Sequence, residues 1–249
     1  MLYAVNYADD RFRNAQKYNT KTAYQFGKVD KVFEYTPNDL SEEFRKDNER
    51  ILTQPRGGGY WLWKPYIIYD AMKRIKDGDI LIYADSGSYY VNDAHKMTRV
   101  MDRDNCDIMT FQVPLIEKQW TKKELFEYFH IGLDSDYAES CQRIATFIIL
   151  RKTDQTLLFV ENYLRICCIE DLITDLRKEK DQDPSFLDHR HDQSIFSLLC
   201  KINSVPVYRD PSEYGIKPKL LDDIVPGTKW IHPRYRKSDY PQIFVAHKE

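Results

Sequence analysis

The 249-residue chain has no stretch approaching the roughly 20 consecutive apolar residues that span a bilayer. Its first residues, Met1-Leu2-Tyr3-Ala4-Val5-Asn6, lack a basic stretch running into an apolar one, so no export leader is expected. Charge of one sign is lacking too. The chain carries 37 basic side chains against 39 acidic ones, net −2, which argues against a nucleic-acid partner. The short charged runs at 28–31 and 177–180 read as solvated faces. Cysteine is scarce and odd in number: Cys106, Cys141, Cys167, Cys168 and Cys200, with no CxxC spacing. That excludes a disulfide framework and a zinc ribbon and fits a reducing compartment. A cytoplasmic protein is expected, without a transmembrane segment but with room for peripheral membrane association. No internal repeat, low-complexity tract or linker divides the chain, so one domain over 1–249 is expected.

Apolar residues make up 42% and charged residues 31%, the balance of an ordinary globular protein with a sizeable core. Aromatics are plentiful at 18 Tyr, 12 Phe and 4 Trp, and Tyr and Trp suit stacking on bases and sugar rings. Apolar runs predict strands at 2–6, 31–35, 79–83, 107–113, 145–150 and 205–208. Helices are expected at about 13–26, 40–52, from Pro65 onward, 153–169 and 192–202. Thr121-Lys122-Lys123-Glu124 has capping-box spacing and predicts another helix start. Strands alternating with helices imply an α/β domain with one mostly parallel sheet covered on both faces. In such sheets ligands bind beyond the carboxyl ends of the strands. After 208 the chain turns irregular, and 209–249 is expected to close over the site.

The unusual residues fall at those strand ends. Ile82-Tyr83-Ala84-Asp85-Ser86-Gly87 closes a buried run with a carboxylate, placed either to hold Mg²⁺ or Mn²⁺ or a ribose hydroxyl, or to make an Asx-type turn. His189-Arg190-His191-Asp192-Gln193 precedes an apolar helix, whose mouth favours an anion; Asp192 could equally be its N-cap. Arg56-Gly57-Gly58-Gly59-Tyr60-Trp61-Leu62-Trp63-Lys64-Pro65 is not a Walker loop, because no Gly-Lys-Ser/Thr follows the glycines. Lys64 could reach a phosphate, or the segment could be a mobile turn with an aromatic plug. Gln142-Arg143 precedes a strand, and His232 sits in a basic stretch, Trp230 to Arg236, that no core argument explains.

The order of these motifs resembles that of GT-A glycosyltransferases, most closely the retaining family 8 type represented by bacterial lipopolysaccharide galactosyltransferases. It is similar also to uncharacterised bacterial and viral polysaccharide-assembly proteins. The resemblance covers about 1–235. Tyr7-Ala8-Asp9-Asp10 matches the family's nucleotide-binding loop. Asp85-Ser86-Gly87 matches Asp-X-Asp, Gln142 to Leu150 the donor-sugar strand, and Asp192-Gln193 the Asp-Gln at a helix head. His232 matches the late metal-binding histidine. The resemblance implies a GT-A, Rossmann-like α/β fold and sugar transfer from a UDP- or GDP-sugar to a glycan acceptor in polysaccharide biosynthesis.

By the same resemblance Ala8, Asp9 and Asp10 lie near the nucleoside, and Asp85 and Ser86 at the metal or ribose. Lys64, Arg190, His191 and Arg236 are candidates for the donor, with Lys64, Arg190 or Arg236 neutralising its diphosphate if the metal is weak or absent; Gln142, Asp192 and Gln193 are placed at its sugar. Asp192 serves as general base if transfer inverts; Gln193 lies on the sugar face if it retains. The implied cation is Mn²⁺ or Mg²⁺, held by Asp85 and His232. Gly87, however, stands where the family places its main metal carboxylate. Two other classes fit part of the pattern: a metal-dependent phosphohydrolase using Asp85, His189, His191 and Asp192, and a non-catalytic sugar- or nucleotide-binding module. Under the transferase reading, the acid closing the central strand and the helix mouth at Asp192 must converge on one cleft.

Overall fold

A computed structural model of the chain describes residues 1–178, 181–217, 228 and 231–246. Strands β1 (Leu2–Tyr7), β2 (Lys31–Tyr35), β3 (Ile80–Ala84), β5 (Ile108–Ile116), β6 (Cys141–Arg143), β7 (Phe147–Arg151) and β8 (Val207–Arg209) form one seven-stranded sheet, in the order β2-β1-β3-β7-β5-β6 with β8 also on β5. The predicted strands are all present, and the α/β class expected is the one found. β1, β2, β3, β5 and β8 point one way. β6 and β7 run against them, so the sheet is mixed.

The side-chain alternation of a strand explains why both faces are covered. Leu81 and Tyr83 join one apolar cluster, Ile80, Ile82 and Ala84 the other. The first face is packed by helices α2 (Trp63–Arg74), α4 (Asp154–Cys167) and α5 (His191–Ile202). The second is packed by α1 (Arg13–Gln25) and α3 (His95–Arg103). α4 starts at Thr153, whose side chain accepts from Thr156 N while Thr156 Oγ1 accepts from the cap backbone. The box expected at Thr121 does not form. Thr121 donates its hydroxyl to Glu117 Oε1 at 2.7 Å, and the helix there begins at Lys123 without a side-chain cap.

Two elements escape the sequence pattern. A two-residue pair joins β4 (Tyr89–Tyr90) to β9 (Phe244–Val245) antiparallel, docking residues 244–245 beside the end of β3. The glycine segment forms a left-handed turn instead of a loose loop. Gly57, Gly58, Gly59, Tyr60 and Trp61 have φ of 60°, 56°, 93°, 52° and 59°. Parts of 209–249, including Trp230, lie outside the described residues, so the expected closure of that segment over the site extends beyond them. Among the described residues no helix is long and apolar enough to cross a membrane.

Candidate active site

The carboxyl ends of β1 and β3 open into a cavity of about 730 Å³. β1 contributes Tyr7 and the residues after it, Ala8 and Asp9; β3 is followed by Asp85, Ser86 and Gly87. Residues leading into α1, Arg11 and Phe12, form a second wall, and the left-handed turn supplies Gly57, Gly58 and Trp61 as a third. Six aromatic rings line the space: Tyr7, Phe12, Tyr18, Trp61, Trp63 and Tyr89. Tyr7 and Trp63 stack on each other at 4.0 Å. The sequence displayed these rings beside the strand ends, but whether they faced a ligand or filled the core depended on the turn.

Below the cavity floor lies an ionic trio. Lys64 Nζ is 2.9 Å from Asp192 Oδ2 and 3.5 Å from Asp85 Oδ1, and it donates to the Ala145 carbonyl at 3.2 Å. The Lys64 and Asp192 side chains are 4% exposed, whereas Asp85 is 19% exposed and opens on the cavity. Tyr83 donates its hydroxyl to Asp85 Oδ1 at 2.6 Å, and Tyr163 donates to Asp192 Oδ2 at 3.0 Å. Burial pulls the Lys64 ammonium down, but Asp192 and Asp85 outweigh it, so its pKa is raised and it stays charged. Burial raises Asp192, against the pull of Lys64. Asp85 and Asp192 therefore converge on one ammonium, from β3 and α5, although only Asp85 faces the cavity.

The other sequence candidates divide around this frame. Ala8 donates its N–H to the Tyr35 carbonyl at 3.1 Å and lines the cavity. Asp9 lines it as well, gripped by Arg11 at 2.7 and 3.0 Å. Ser86 donates its hydroxyl to the Tyr7 carbonyl at 2.7 Å, tying the two strand ends together. Asp10 is exposed at the start of a short turn and is not on the cavity wall. Gln193 spends its amide inside the fold, accepting from Ala145 N at 3.2 Å and donating to Gln142 Oε1 at 2.8 Å. Gln142 is fully buried and donates to Glu117 Oε1 at 2.9 Å. Asp192, Gln193 and Gln142 are not on the cavity wall: Asp192 and Gln142 are buried beneath it, and the half-buried Gln193 has its amide bonded inside the fold.

Arg190 lies over the Trp120 ring at 4.5 Å, off the cavity. His189 Nε2 donates to the Leu172 carbonyl at 2.9 Å, and its Nδ1 accepts from Lys122 N at 3.3 Å. His191 Nδ1 donates to the Ile173 carbonyl at 2.8 Å while its ring supports Tyr60 and Trp61. These histidines are buried and hold backbone, so the phosphohydrolase cluster does not assemble around a ligand. His232 lines a separate pocket of about 140 Å³ beside β5 and the end of β8, with Arg209 and Asp210. Arg236 is exposed and donates its backbone N–H to the Val207 carbonyl at 2.9 Å.

The donor set does not fit the divalent cation that the motif order implies. Gly87 has no side chain, His232 lines the other pocket, and Asp9 is engaged by Arg11. Among the described residues no three His, Cys, Asp or Glu side chains gather as a metal would require.

No protein-family model and no curated protein matches the sequence. Solved structures do resemble the fold. Mouse xyloside xylosyltransferase 1 in its apo form overlaps 99% of this chain and 97% of its own, with a TM-score of 0.52 at 7% identity. Weaker overlaps are to the Streptococcus pneumoniae glycosyltransferase GlyE (TM-score 0.45, 12% identity, 98% of this chain and 53% of that one) and to the galactosyltransferase LgtC (0.37, 14%, 78% and 69%). The chain thus has the GT-A-type fold. At 7% identity the likeness fixes the architecture and leaves the chemistry to the site.

Proposed function

We propose that the protein is a glycosyltransferase, moving a sugar from a UDP- or GDP-sugar to a glycan acceptor. The observation that carries this reading is the aromatic-walled cavity at the carboxyl ends of β1 and β3, with the Asp85 carboxylate on its floor. Its volume of about 730 Å³ suits a ligand of nucleotide-sugar size. Flat rings on several sides offer faces for a base or the C–H face of a sugar. Arg11 and the first turn of α1 stand on one wall, where an anionic diphosphate is drawn by an exposed guanidinium and a helix N-terminus. Arg11 holds Asp9 through Nε and Nη2, and among the described residues its Nη1 has no protein partner and is open to phosphate.

Transfer breaks the bond between the sugar C1 and the diphosphate oxygen and forms one to the acceptor hydroxyl. The chain's tasks are to hold the ring near the acceptor and to stabilise the departing charge. Asp85 and the aromatic walls serve the first task and Arg11 the second. Action in the cytoplasm, in the assembly of a polysaccharide, belongs to the same proposal; the five thiols are all free and four are buried, which suits a reducing compartment.

Calorimetry with UDP, GDP and their sugars tests this. One nucleotide series should bind, its sugar should be consumed with release of the nucleoside diphosphate, and Trp61→Ala should weaken binding about tenfold or more. Heat from no nucleotide, or phosphate release from simple esters instead, would sink it. Binding without turnover in the presence of glycan acceptors would favour a non-catalytic module.

A further inference from the structure

Asp85 has two oxygens with different surroundings. Oδ1 accepts from Tyr83 at 2.6 Å and faces Lys64 Nζ at 3.5 Å; among the described residues Oδ2 has no protein partner. We infer that Asp85 takes a ligand hydroxyl on Oδ2, and that Lys64 supplies from beneath the floor the positive charge that a dication would otherwise give Asp85, so the cavity binds a hydroxylated ring without a divalent metal. This rests on the sugar-transfer reading and narrows it to metal-independent recognition.

The charge arrangement carries the argument. A site that holds a dication over a diphosphate still gives it one or two free carboxylates, with phosphate and water oxygens completing its shell. Here two carboxylates face the cavity, but Asp9 is held by Arg11, the residue two past Asp85 is Gly87, and the nearby Asp192 is 4% exposed and already bound to the ammonium. Lys64 lies between Asp192 and Asp85, 2.9 Å from one and 3.5 Å from the other, so it offsets one of their two charges from inside the protein. Its Nζ is too enclosed to touch a ligand. Its role is to position Asp85, with one oxygen locked below and the other presented upward. A single fixed carboxylate oxygen among aromatic faces suits a hydroxyl on a flat ring, a charge-assisted hydrogen bond beside stacking.

Two measurements on the full chain test this separately from the parent reading. In the first, Mn²⁺ is titrated into wild type, Asp85→Asn and Lys64→Ala, with free Mn²⁺ followed by its EPR signal. Wild type and Asp85→Asn should bind Mn²⁺ equally weakly, and Lys64→Ala should bind it more tightly, because two carboxylates then face a vacated space. Wild type binding about tenfold tighter than Asp85→Asn would overturn the inference, even if Lys64→Ala fails to fold. In the second, the UDP- and GDP-sugars are titrated with EDTA and with Mn²⁺. Affinity should agree between the two conditions and fall about tenfold in Asp85→Asn. Tightening of about tenfold by Mn²⁺, or no loss in Asp85→Asn, would overturn it. Absence of all nucleotide-sugar binding would defeat the transferase proposal and the hydroxyl assignment, while the Mn²⁺ titration still decides the metal question.

Discussion

Lys64 concentrates the electrostatics of the site on one atom. Its ammonium is shared by two carboxylates in a place where an uncompensated charge is expensive, and among the described residues three other buried lysines satisfy their charges differently. Lys201 pairs with Glu117 at 2.7 Å, whereas Lys122 and Lys152 donate to backbone carbonyls. Burial without an adjacent carboxylate partner lowers Lys122 to about 8, while two acids keep Lys64 above its ordinary range. Lys64→Met should therefore cost about 3–5 kcal/mol of stability, since Asp192 is left buried beside only the Tyr163 hydroxyl. Asp192→Asn should cost clearly less, because Lys64 keeps Asp85 and the Ala145 carbonyl. Urea unfolding of the three proteins measures both. A Lys64→Met variant as stable as wild type would mean that the ammonium does not compensate the pair.

Among the elements, the left-handed turn at 57–61 is the one that shapes the binding wall. An L-residue in that conformation costs about 1–2 kcal/mol, so Tyr60 and Trp61 hold roughly 2–4 kcal/mol of strain between them. Distant partners hold it in place. Arg56 pairs with Asp175 at 2.9 Å and Asp188 at 2.6 Å, Tyr60 donates its hydroxyl to Asp175 at 3.2 Å, and Trp63 Nε1 donates to the Gly57 carbonyl at 3.0 Å. A methyl group at Gly59 would meet the Leu52 Cα at 2.6 Å and the carbonyl oxygens of Leu52 and Ile51 at 3.1 and 3.2 Å. At Gly58 it would meet nothing nearer than 3.9 Å. Gly59→Ala should displace the turn and weaken ligand binding, while Gly58→Ala should cost only about 1 kcal/mol of stability. Equal affinities by calorimetry would mean that the turn does not shape the wall. The three glycines made a special backbone legible in the sequence. The hand of the turn was not, because it is fixed by Asp175, which lies 119 positions from Arg56.

Over the whole molecule, short continuous apolar runs announced the strands, and alternation with helices announced a covered sheet. The depth of each candidate below the floor was not readable, because it follows from how α5 packs against β6 and α4. That packing leaves Asp192 and both histidines of the His-Arg-His segment inside the protein, with a consequence for acid stability. Burial, and then the charges of Lys122 and His191, hold His189 well below its usual range. Burial lowers His191 to about 4; the Ile173 carbonyl, Asp175 and Asp188 oppose that shift and Arg56 adds to it. An unfolded histidine titrates near 6.5, so below that pH the unfolded chain takes up protons the folded chain refuses. Stability from this source is complete above 6.5 and is lost as pH falls toward 4. Asp210, raised by burial to about 6, works in the opposite direction, favouring the folded chain as pH drops below 6. The His191 contribution alone amounts to about 2 kcal/mol between pH 7.5 and 5. Asparagine tolerates the 51° φ at this position and carries an N–H directed much as Nδ1 is. His191→Asn should therefore lose that share of the acid sensitivity, and Asp210→Asn should steepen it. Unfolding free energies of the three proteins across pH 5–7.5 decide the matter, and parallel curves for wild type and His191→Asn would show that the imidazole is not held neutral by its burial against the turn.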